Sequence, residues 1–291
     1  MRQIIFIVNP RAGTERNKQL QATIDTVLQK DACNYEIQYT EYAGHGALLA
    51  QLAAKNGADV VVAVGGDGSV NDVLRGLQGS GVALGIVPMG SGNGLARTLQ
   101  IPMDMAAAIA LLNAGLVQHI DIGQVNGQLF GSNAGVGFDA LVCKRFNTSE
   151  RRGLAVYAWL ITKYLWLYND WTWSLKIDGK TYERTAFFIS VANGRQFGYN
   201  FKIAEDASYT DGLLDVVVVN KFPKILGAFL GLRMLRGTLL SSKYVERFRA
   251  KEIEISHPRL KLFQKDGEAT ACGPVLQFAV WPLAQKVIVP G

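Results

Sequence analysis

A glycine-rich turn between an apolar strand and an amphipathic helix constrains the fold of this chain more than any other feature. Residues 60–64 are five small apolar residues, and the sequence Gly-Gly-Asp-Gly-Ser at 65–69 follows them directly. Apolar residues then recur at helical spacing over 70–77. A short apolar run bounded by a turn signal predicts a buried strand, so the stretch as a whole predicts a strand, a turn and a helix.

The turn has the composition of a phosphate-binding loop. Its three glycines allow positive φ angles and leave no Cβ between the backbone and a ligand, and Ser69 is expected to cap the helix. Amides at such a helix start bind anions. Asp67 would repel a phosphate unless a cation lay between them, which points to a metal-bound nucleotide. The alternative is an ordinary tight turn in which Asp67 is a solvated loop residue.

A second glycine-rich loop follows the next predicted strand. Residues 83–88 form another short apolar run, and Gly-Ser-Gly-Asn at 90–93 comes directly before helical residues 95–99. The two loops are about 25 residues apart, which suits neighbouring strands of one α/β sheet, where ligands bind at the carboxyl ends.

These two motifs resemble those of the diacylglycerol kinase catalytic-domain family, which includes bacterial lipid kinases, sphingosine kinases and ceramide kinases. The family hallmarks are Gly-Gly-Asp-Gly-Thr/Ser, here at 65–69, and Gly-Thr/Ser-Gly-Asn, here at 90–93. An Asn-Pro-x-x-Gly element at 9–13 is similar to the family's phosphate loop. The resemblance implies ATP and Mg²⁺ as cofactors, with Asp67 near the catalytic ion. The nucleotide contacts that it implies are Asn9, Pro10, Arg11, Ala12, Gly13, Thr40, Gly65, Gly66, Asp67, Gly68, Ser69, Val70, Asn71, Ser91, Gly92 and Asn93.

The pattern of predicted elements changes part of the way along the chain. Strands and helices alternate over residues 1–122, which predicts a three-layer α/β domain with a mainly parallel sheet. Short strands with hairpin turns follow over 123–283, which predicts an all-β antiparallel sandwich. The resemblance allows a last strand at 284–291 to return to the first domain.

Three motifs of the second half carry candidate site residues by resemblance. Asp139 is the candidate for binding the lipid head group, with a helix N-cap as the alternative. Asp211, with the carbonyls of Ser208 and Leu213, is the candidate for a structural Mg²⁺, although Asp-Gly before a strand is also a common turn. The Asp-Gly-Glu motif would supply the catalytic carboxylates Asp266 and Glu268, and its alternative is a hairpin turn.

Composition indicates a globular protein and narrows the cellular compartments in which it is expected. The 291 residues are 49% hydrophobic and 19% charged, which is a globular composition with enough residues for two cores. Three widely spaced cysteines indicate neither a disulfide framework nor a zinc site. The apolar start is too short for a signal peptide, and charged residues interrupt the apolar region 153–173. We therefore expect a cytoplasmic protein without a transmembrane segment.

A basic region suggests where the protein binds. The formal net charge is +6, and residues 221–251 contain eight basic residues and one acidic residue. Such a region suits an anionic membrane surface, and no nucleic-acid-binding motif accompanies it. If residues 222–243 form one helix, Arg233, Arg236 and Lys243 share one face. We expect peripheral membrane contact and no nucleic-acid partner, and a homodimer is possible.

The function that these features predict is ATP-dependent phosphorylation of a hydroxyl on a diacylglycerol or sphingoid-type lipid. Either Glu268 or Asp266 would accept the proton of that hydroxyl. One alternative is an NAD kinase-like enzyme, which shares the Gly-Gly-Asp-Gly element but not the loop at 90–97. The other alternative is a non-catalytic nucleotide-binding membrane module, against which the intact acidic and amide residues argue.

Overall fold

The computed structural model describes residues 1–29, 31–149, 153–198 and 200–291 and divides the chain into two compact units. The first unit contains residues 1–121 together with 283–291, and the second contains residues 122–282. The chain therefore enters the second unit after Asp121 and returns to the first at Leu283.

The first unit is built on a parallel sheet. Its four leading strands are β1 (Arg2–Val8), β2 (Cys33–Tyr39), β3 (Val60–Gly65) and β4 (Ala83–Pro88). They lie in the order β4, β3, β1, β2, with parallel pairing throughout. Every residue of β3 and β4 is buried, as expected for strands covered on both faces.

Helices cover both faces of this sheet. They are α1 (Thr14–Asn17), α2 (Leu20–Val27), α3 (His45–Lys55), α4 (Asp67–Leu77), α5 (Gly94–Thr98) and α6 (Met105–Ala114). Helix α3 packs on α4 and α2 packs on α6, which gives two helical layers around the strands. This is the three-layer α/β fold that the sequence predicts.

The second unit is an antiparallel sandwich. Its strands are β5 (Leu116–Val125), β6 (Gln128–Phe130), β7 (Asn133–Gly137), β8 (Trp171–Ile177), β9 (Lys180–Ala192), β10 (Leu214–Asn220), β11 (Val245–Ala250), β12 (Glu252–Ser256), β13 (Leu262–Lys265), β14 (Glu268–Ala271) and β15 (Val275–Val289), with the start of β5 and the end of β15 in the first unit. Antiparallel pairing joins β7, β9, β8 and β12 in that order, and β10 also pairs with β9. The predicted antiparallel sandwich is confirmed.

This unit also contains helices α7 (Phe138–Asn147), α8 (Leu154–Leu165) and α9 (Gly227–Arg236). Residues 186–192 of β9 are all buried because the strand has a core on each face. Ile189 and Val191 lie in the sandwich core with Trp173, whereas Phe187 and Phe188 lie in a cluster beneath the helices. The helices thus form a layer over one face of β9.

The single helix considered for residues 222–243 is much shorter in the structure. A 3₁₀ turn at Lys224–Leu226 leads into α9, which ends where Gly237 takes the left-handed conformation with φ 68°. Lys243 follows a second 3₁₀ turn at Leu239–Ser241 and so is not on the helix face of Arg233. The prediction that these residues share a face was wrong for Lys243, because glycine ends the helix. Within the part of the chain that the structure describes, no helix is long and apolar enough to span a membrane.

The returning end of the chain closes the sheet of the first unit. Val287 pairs in parallel with Leu84 of β4, and Gln285 donates from Nε2 to the carbonyl of Val82 at 2.9 Å. The backbone amide of Leu283 donates to the buried carboxylate of Asp121 at 2.7 Å. The last residues are therefore part of the first unit's core.

We predict that Ile288→Ala destabilises the protein by about 2–5 kcal/mol, because truncation of a fully buried isoleucine leaves a cavity. Urea unfolding followed by circular dichroism measures this loss. Leu48→Ala, on the exposed face of α3, is the control and should change stability by less than about 0.5 kcal/mol. Equal effects of the two changes would contradict the assignment of the returning strand to the core.

Candidate active site

The loops that follow the parallel strands of the first unit lie along one edge of the sheet. They are residues 9–13, 40–44, 66–69 and 89–94. Backbone hydrogen bonds fix their starts: Asn9 donates to Val64 at 3.0 Å, and Met89 donates to Gly65 at 2.8 Å. The segments expected to bind a nucleotide are therefore brought together by strand order, although up to 80 residues of sequence separate them.

The two glycine-rich loops pack backbone to backbone. A Cβ added to Gly90 would lie 2.6 Å from the Cα of Gly66, and one added to Gly65 would lie 2.2 Å from the hydroxyl oxygen of Ser69. Real Cβ atoms do not approach other atoms so closely. The glycines are thus required for the packing of the loops as well as for any close approach of a ligand.

Asp67 joins these loops through its carboxylate. Its Oδ1 accepts a hydrogen bond from the amide of Gly94 at 2.7 Å, and its Oδ2 accepts one from the amide of Asn93 at 2.9 Å. The buried Asn93 side chain closes the loop on itself, since it accepts from the amide of Gly90 and donates to its carbonyl. Each Asp67 oxygen has lone pairs for a further partner, so the carboxylate also fits a water ligand of a metal ion.

Ser69 is not the N-cap residue of α4, although the sequence predicts that it caps this helix. Helix α4 begins at Asp67 with Gly66 as its N-cap residue, so Ser69 lies inside the first turn. Its hydroxyl is 3.4 Å from Nδ2 of Asn9 and therefore links the glycine turn to the loop at 9–13. Backbone amides at the start of a helix lack intrahelical partners and are suited to an anion.

Hydrogen bonds between side chains and the backbone stabilise the loop at 9–13. The Asn9 side chain accepts the amide of Arg11 at 3.0 Å, and Nδ2 of Asn17 donates to the carbonyls of Asn9 and Ala12. Gly13 has φ 59°, which reverses the chain before α1. Arg11 is exposed at the surface of this loop.

Thr40 and Asn71 also lie at this edge of the sheet, and their polar atoms differ in hydrogen bonding. The Thr40 hydroxyl lies 3.4 Å from the carbonyl of Val8, at the end of the neighbouring strand. Nδ2 of Asn71 is buried in α4 without a hydrogen-bond partner in the described part of the chain. A buried unpaired donor is costly, and a ligand oxygen would satisfy it.

In the second unit, the two carboxylates of the Asp-Gly-Glu motif have different environments. Asp266 accepts the amides of Gly131, Ser132 and Asn133 at 2.7–3.0 Å. Burial raises the pKa of Asp266, and these three amide hydrogen bonds act in the opposite direction. Glu268 is exposed at the start of β14. Asp266 and Gly267 both have positive φ angles, so the motif also forms the tight hairpin turn that the sequence allowed.

A buried polar network lies next to this hairpin. Nε2 of Gln264 donates to Oδ1 of Asn133 at 2.8 Å and to Oδ2 of Asp139 at 3.2 Å, and its Oε1 accepts the amide of Gly267 at 3.1 Å. Gln264 therefore connects the candidate head-group residue to the turn that carries Glu268. Sequence analysis missed Gln264 and Asn133, and the available signal for Gln264 was a polar residue two positions before the Asp-Gly-Glu motif.

Asp139 lies at the start of α7 but is not its N-cap, because that residue is Gly137. Its carboxylate is buried, with Oδ1 accepting the amide of Ala140 at 2.7 Å. Burial raises the pKa of Asp139 to about 7, against the hydrogen bonds from Gln264 and Ala140. A Cβ on Gly135 would lie 2.4 Å from Oδ2 of Asp139, so that glycine makes room for the carboxylate.

The residues proposed to hold a structural Mg²⁺ form a network of ion pairs. Asp211 contacts the guanidinium of Arg249 and accepts the amide of Leu213 at 3.1 Å, while the Ser208 hydroxyl pairs with that of Thr210. Arg249 and Arg247 also contact the buried Asp215. Arg249 therefore already pairs with the carboxylate that is the candidate Mg²⁺ ligand. Within the described residues, no three histidine, cysteine or acidic side chains form a possible metal cluster.

Comparison with known proteins covers both units. Residues 3–125 match the family model described as the diacylglycerol kinase catalytic domain, and residues 132–289 match the YegS C-terminal NAD kinase beta sandwich-like domain. The chain is 27% identical to "Diacylglycerol kinase" of Bacillus subtilis, over 92% of this chain and 90% of that protein. It is 31% identical to "Probable lipid kinase YegS-like" of Pseudomonas aeruginosa, over 94% and 90%. A Bacillus anthracis crystal structure described as "a putative diacylglycerol kinase" has the same fold, with a TM-score of 0.82, 24% identity and coverage of 99% and 95%.

We predict that Gly90→Ala weakens nucleotide binding at least tenfold, because the new methyl group separates the two glycine loops. Titration with a fluorescent ATP analogue measures this affinity. Gly273→Ala is the control, since a Cβ there meets nothing within 4 Å. Unchanged affinity in Gly90→Ala would show that nucleotide binding does not depend on the packing of these loops.

We predict that the unfolding midpoint of the nucleotide-free protein is the same in Mg²⁺ and in excess EDTA. Arg249→Ala should lower the midpoint by roughly 2–4 °C, as expected for about 1 kcal/mol in a chain of this size, and should make it rise with Mg²⁺. Arg184→Ala, which removes the exposed pair with Glu246, is the control and should not create a response to Mg²⁺. A wild-type response to Mg²⁺ that Asp211→Asn abolishes would contradict the ion-pair assignment.

Proposed function

The chain belongs to the diacylglycerol kinase catalytic-domain family of lipid kinases, and on that premise we propose that it transfers the γ-phosphoryl group of ATP to a hydroxyl of a diacylglycerol or sphingoid-type lipid. The observation that carries the proposal is the placement of two carboxylates on one hairpin. Three backbone amides hold the Asp266 carboxylate and so fix the turn, and Glu268 lies at the solvent-exposed start of β14, two residues later.

The nucleotide is bound by the first unit in this proposal. The amides at the start of α4 and the guanidinium of Arg11 neutralise its phosphates, and the buried donor of Asn71 supplies a further contact. The rigid loop pairing held by Asp67 fixes the position of these donors before the substrate arrives. Phosphoryl transfer depends mainly on such alignment and charge neutralisation.

Magnesium would accompany the nucleotide. When bound, the ion would neutralise the negative charge that develops on the phosphate during transfer. Asp67 is the residue of the first unit that we assign to it, through a water ligand, since both of its oxygens already accept amides.

The second unit supplies the proton acceptor. Glu268 takes the proton from the attacking lipid hydroxyl, a role usually worth roughly 10²- to 10⁴-fold in rate. Asp266 acts as a positioning residue, because its carboxylate ties the turn to residues 131–133. Asp139 contacts the polar head of the lipid, where a hydroxyl or ammonium group would pair with its buried carboxylate.

The setting proposed for this reaction is the cytoplasmic surface of a membrane. The acceptor is a bilayer lipid, so the enzyme must reach it by peripheral contact. All three cysteines are free thiols, which favours a reducing compartment.

An NAD kinase-like activity is the second candidate. The family model that matches residues 132–289 carries NAD kinase in its description, and the two enzyme classes share the Gly-Gly-Asp-Gly element. A panel of acceptors tests both functions. Incubation with labelled ATP and diacylglycerol, sphingosine, ceramide or NAD should label one lipid and leave NAD unlabelled, and labelling of NAD alone would overturn the proposal.

We predict that Glu268→Gln lowers kcat by about 10²-fold or more, because the amide cannot accept the proton, and leaves nucleotide affinity unchanged. Steady-state kinetics on the labelled lipid and ATP-analogue titration measure these two quantities. Glu252→Gln, another exposed glutamate of the second unit, is the matched control and should retain wild-type kcat.

Asp266→Asn separates positioning from catalysis. It should lower the unfolding midpoint together with kcat, because an amide group cannot accept all three backbone donors. An effect of Glu268→Gln confined to the lipid KM would remove Glu268 from the role of base.

A further inference from the structure

The second unit carries a group of exposed apolar side chains on α8, on α9 and on the residues at the adjoining ends of these helices. We call it the α8–α9 ridge, and its members are between 41% and 78% exposed. They are Trp159, Trp166, Leu167, Ile225, Phe229 and Leu232. Large apolar side chains grouped in this way on a surface indicate an interaction site.

Contacts between the two segments show that the ridge is one surface. A Cβ on Gly227, at the start of α9, would lie 2.7 Å from Cδ2 of Leu165, at the end of α8. Lys224 lies 3.4 Å from Asp170, which connects the residue before Ile225 to the segment after Leu167. The exposed ends of both helices are therefore side by side.

The ridge is not the core-facing side of these helices. Leu160 of α8 and Leu230 of α9 are buried in the cluster beneath the helices. Trp159 and Trp166 are seven residues apart, as are Ile225 and Leu232, which places each pair on one exposed helical stripe. Each helix thus has one side that packs on this cluster and further apolar side chains that are exposed to solvent.

The charges around the ridge are mainly positive. Residues 154–165 and 224–236 contain four basic residues and no acidic residue, and the neighbouring Asp170 is paired with Lys224. Lys163 lies 4.7 Å from the ring centre of Trp159, and Arg233 lies 5.0 Å from that of Phe229. Basic and aromatic side chains together on an amphipathic surface are typical of helices that lie in a membrane interface.

We propose that the α8–α9 ridge inserts into the interfacial region of an anionic lipid bilayer, with its basic residues against the head groups. The proposal rests on the proposed function in one respect, namely that the acceptor lipid is in that bilayer. A second copy of the chain is a poorer occupant, because the same surface on a partner would bring its positive charges together.

Substitution of the basic residues alone is a poor test of membrane contact, because one of them also stabilises the fold. Nη1 of Arg233 donates to the carbonyl of Thr238 at 2.9 Å, so this residue also holds the end of α9. Charge reversal at Arg233 would therefore confuse folding with docking. The apolar members of the ridge are better targets, because Leu167 and Ile225 are 70% and 78% exposed.

The test uses the double variant Leu167→Asp with Ile225→Asp and vesicles of phosphatidylglycerol and phosphatidylcholine. Co-sedimentation should show at least tenfold weaker binding than wild type, with an unchanged unfolding midpoint. The control variant Leu52→Asp with Val117→Asp introduces the same charge at two exposed apolar residues of the first unit and should bind as wild type does. Equal losses in the two variants, or none in the ridge variant, would overturn the proposal.

Two further measurements identify the occupant. Brominated lipids should quench tryptophan fluorescence in wild type, and Trp159→Phe with Trp166→Phe should remove most of that quenching. Sedimentation velocity without vesicles should show the same species for wild type and the ridge variant. A wild-type dimer that the ridge variant abolishes would assign the surface to a second copy and overturn the proposal.

The experiment also separates docking from catalysis. Vesicle binding is measured without ATP, so it stands whether or not a lipid is phosphorylated. With diacylglycerol dispersed in detergent, the ridge variant should retain wild-type kcat, because the bilayer is absent. Failure of the wild type to label any lipid would refute the proposed function and leave the docking result valid.

Discussion

The carboxylate of Asp67 holds together the two glycine-rich loops on which the first unit's site depends. Its oxygens accept the amides of Asn93 and Gly94, the donors at the start of α5. Helix starts have amides without intrahelical partners, and a charged acceptor binds them more strongly than a neutral one. The close approach of Gly66 to Gly90 leaves no space for a side chain between the loops. Asp67, which the sequence analysis places near the catalytic Mg²⁺, thus also stabilises the conformation of the loop at 90–94.

The second unit uses a buried carboxylate for the same purpose. Asp266 binds three successive amides, and Gln264 holds the following residue, Gly267, so the hairpin before Glu268 is fixed from both sides. Both carboxylates lie among donors that offset the cost of burial. Each unit therefore fixes a loop with one acid and leaves other groups exposed for a ligand.

Much of the site was predictable, because its motifs are local. The strands at 60–65 and 83–88 are apolar throughout, since both faces of the parallel sheet are covered, and the sequence shows this directly. Helix α9 was less predictable, because three glycines made its length uncertain until Gly237 ended it. Gln264 could not be assigned a role from the sequence, since its partners lie more than 100 residues away.

The sequence by itself determined the order of strands and helices, the two glycine loops and the acids beside them, because these depend on periodicity and on backbone freedom within a few residues. The tertiary structure decided which of those acids is buried and what neutralises each one. Backbone amides donate hydrogen bonds to Asp266, and Arg249 forms an ion pair with Asp211. The returning strand at 283–291 belongs to the first unit. Burial and charge pairing depend on residues distant in the chain, so only the folded protein could assign them.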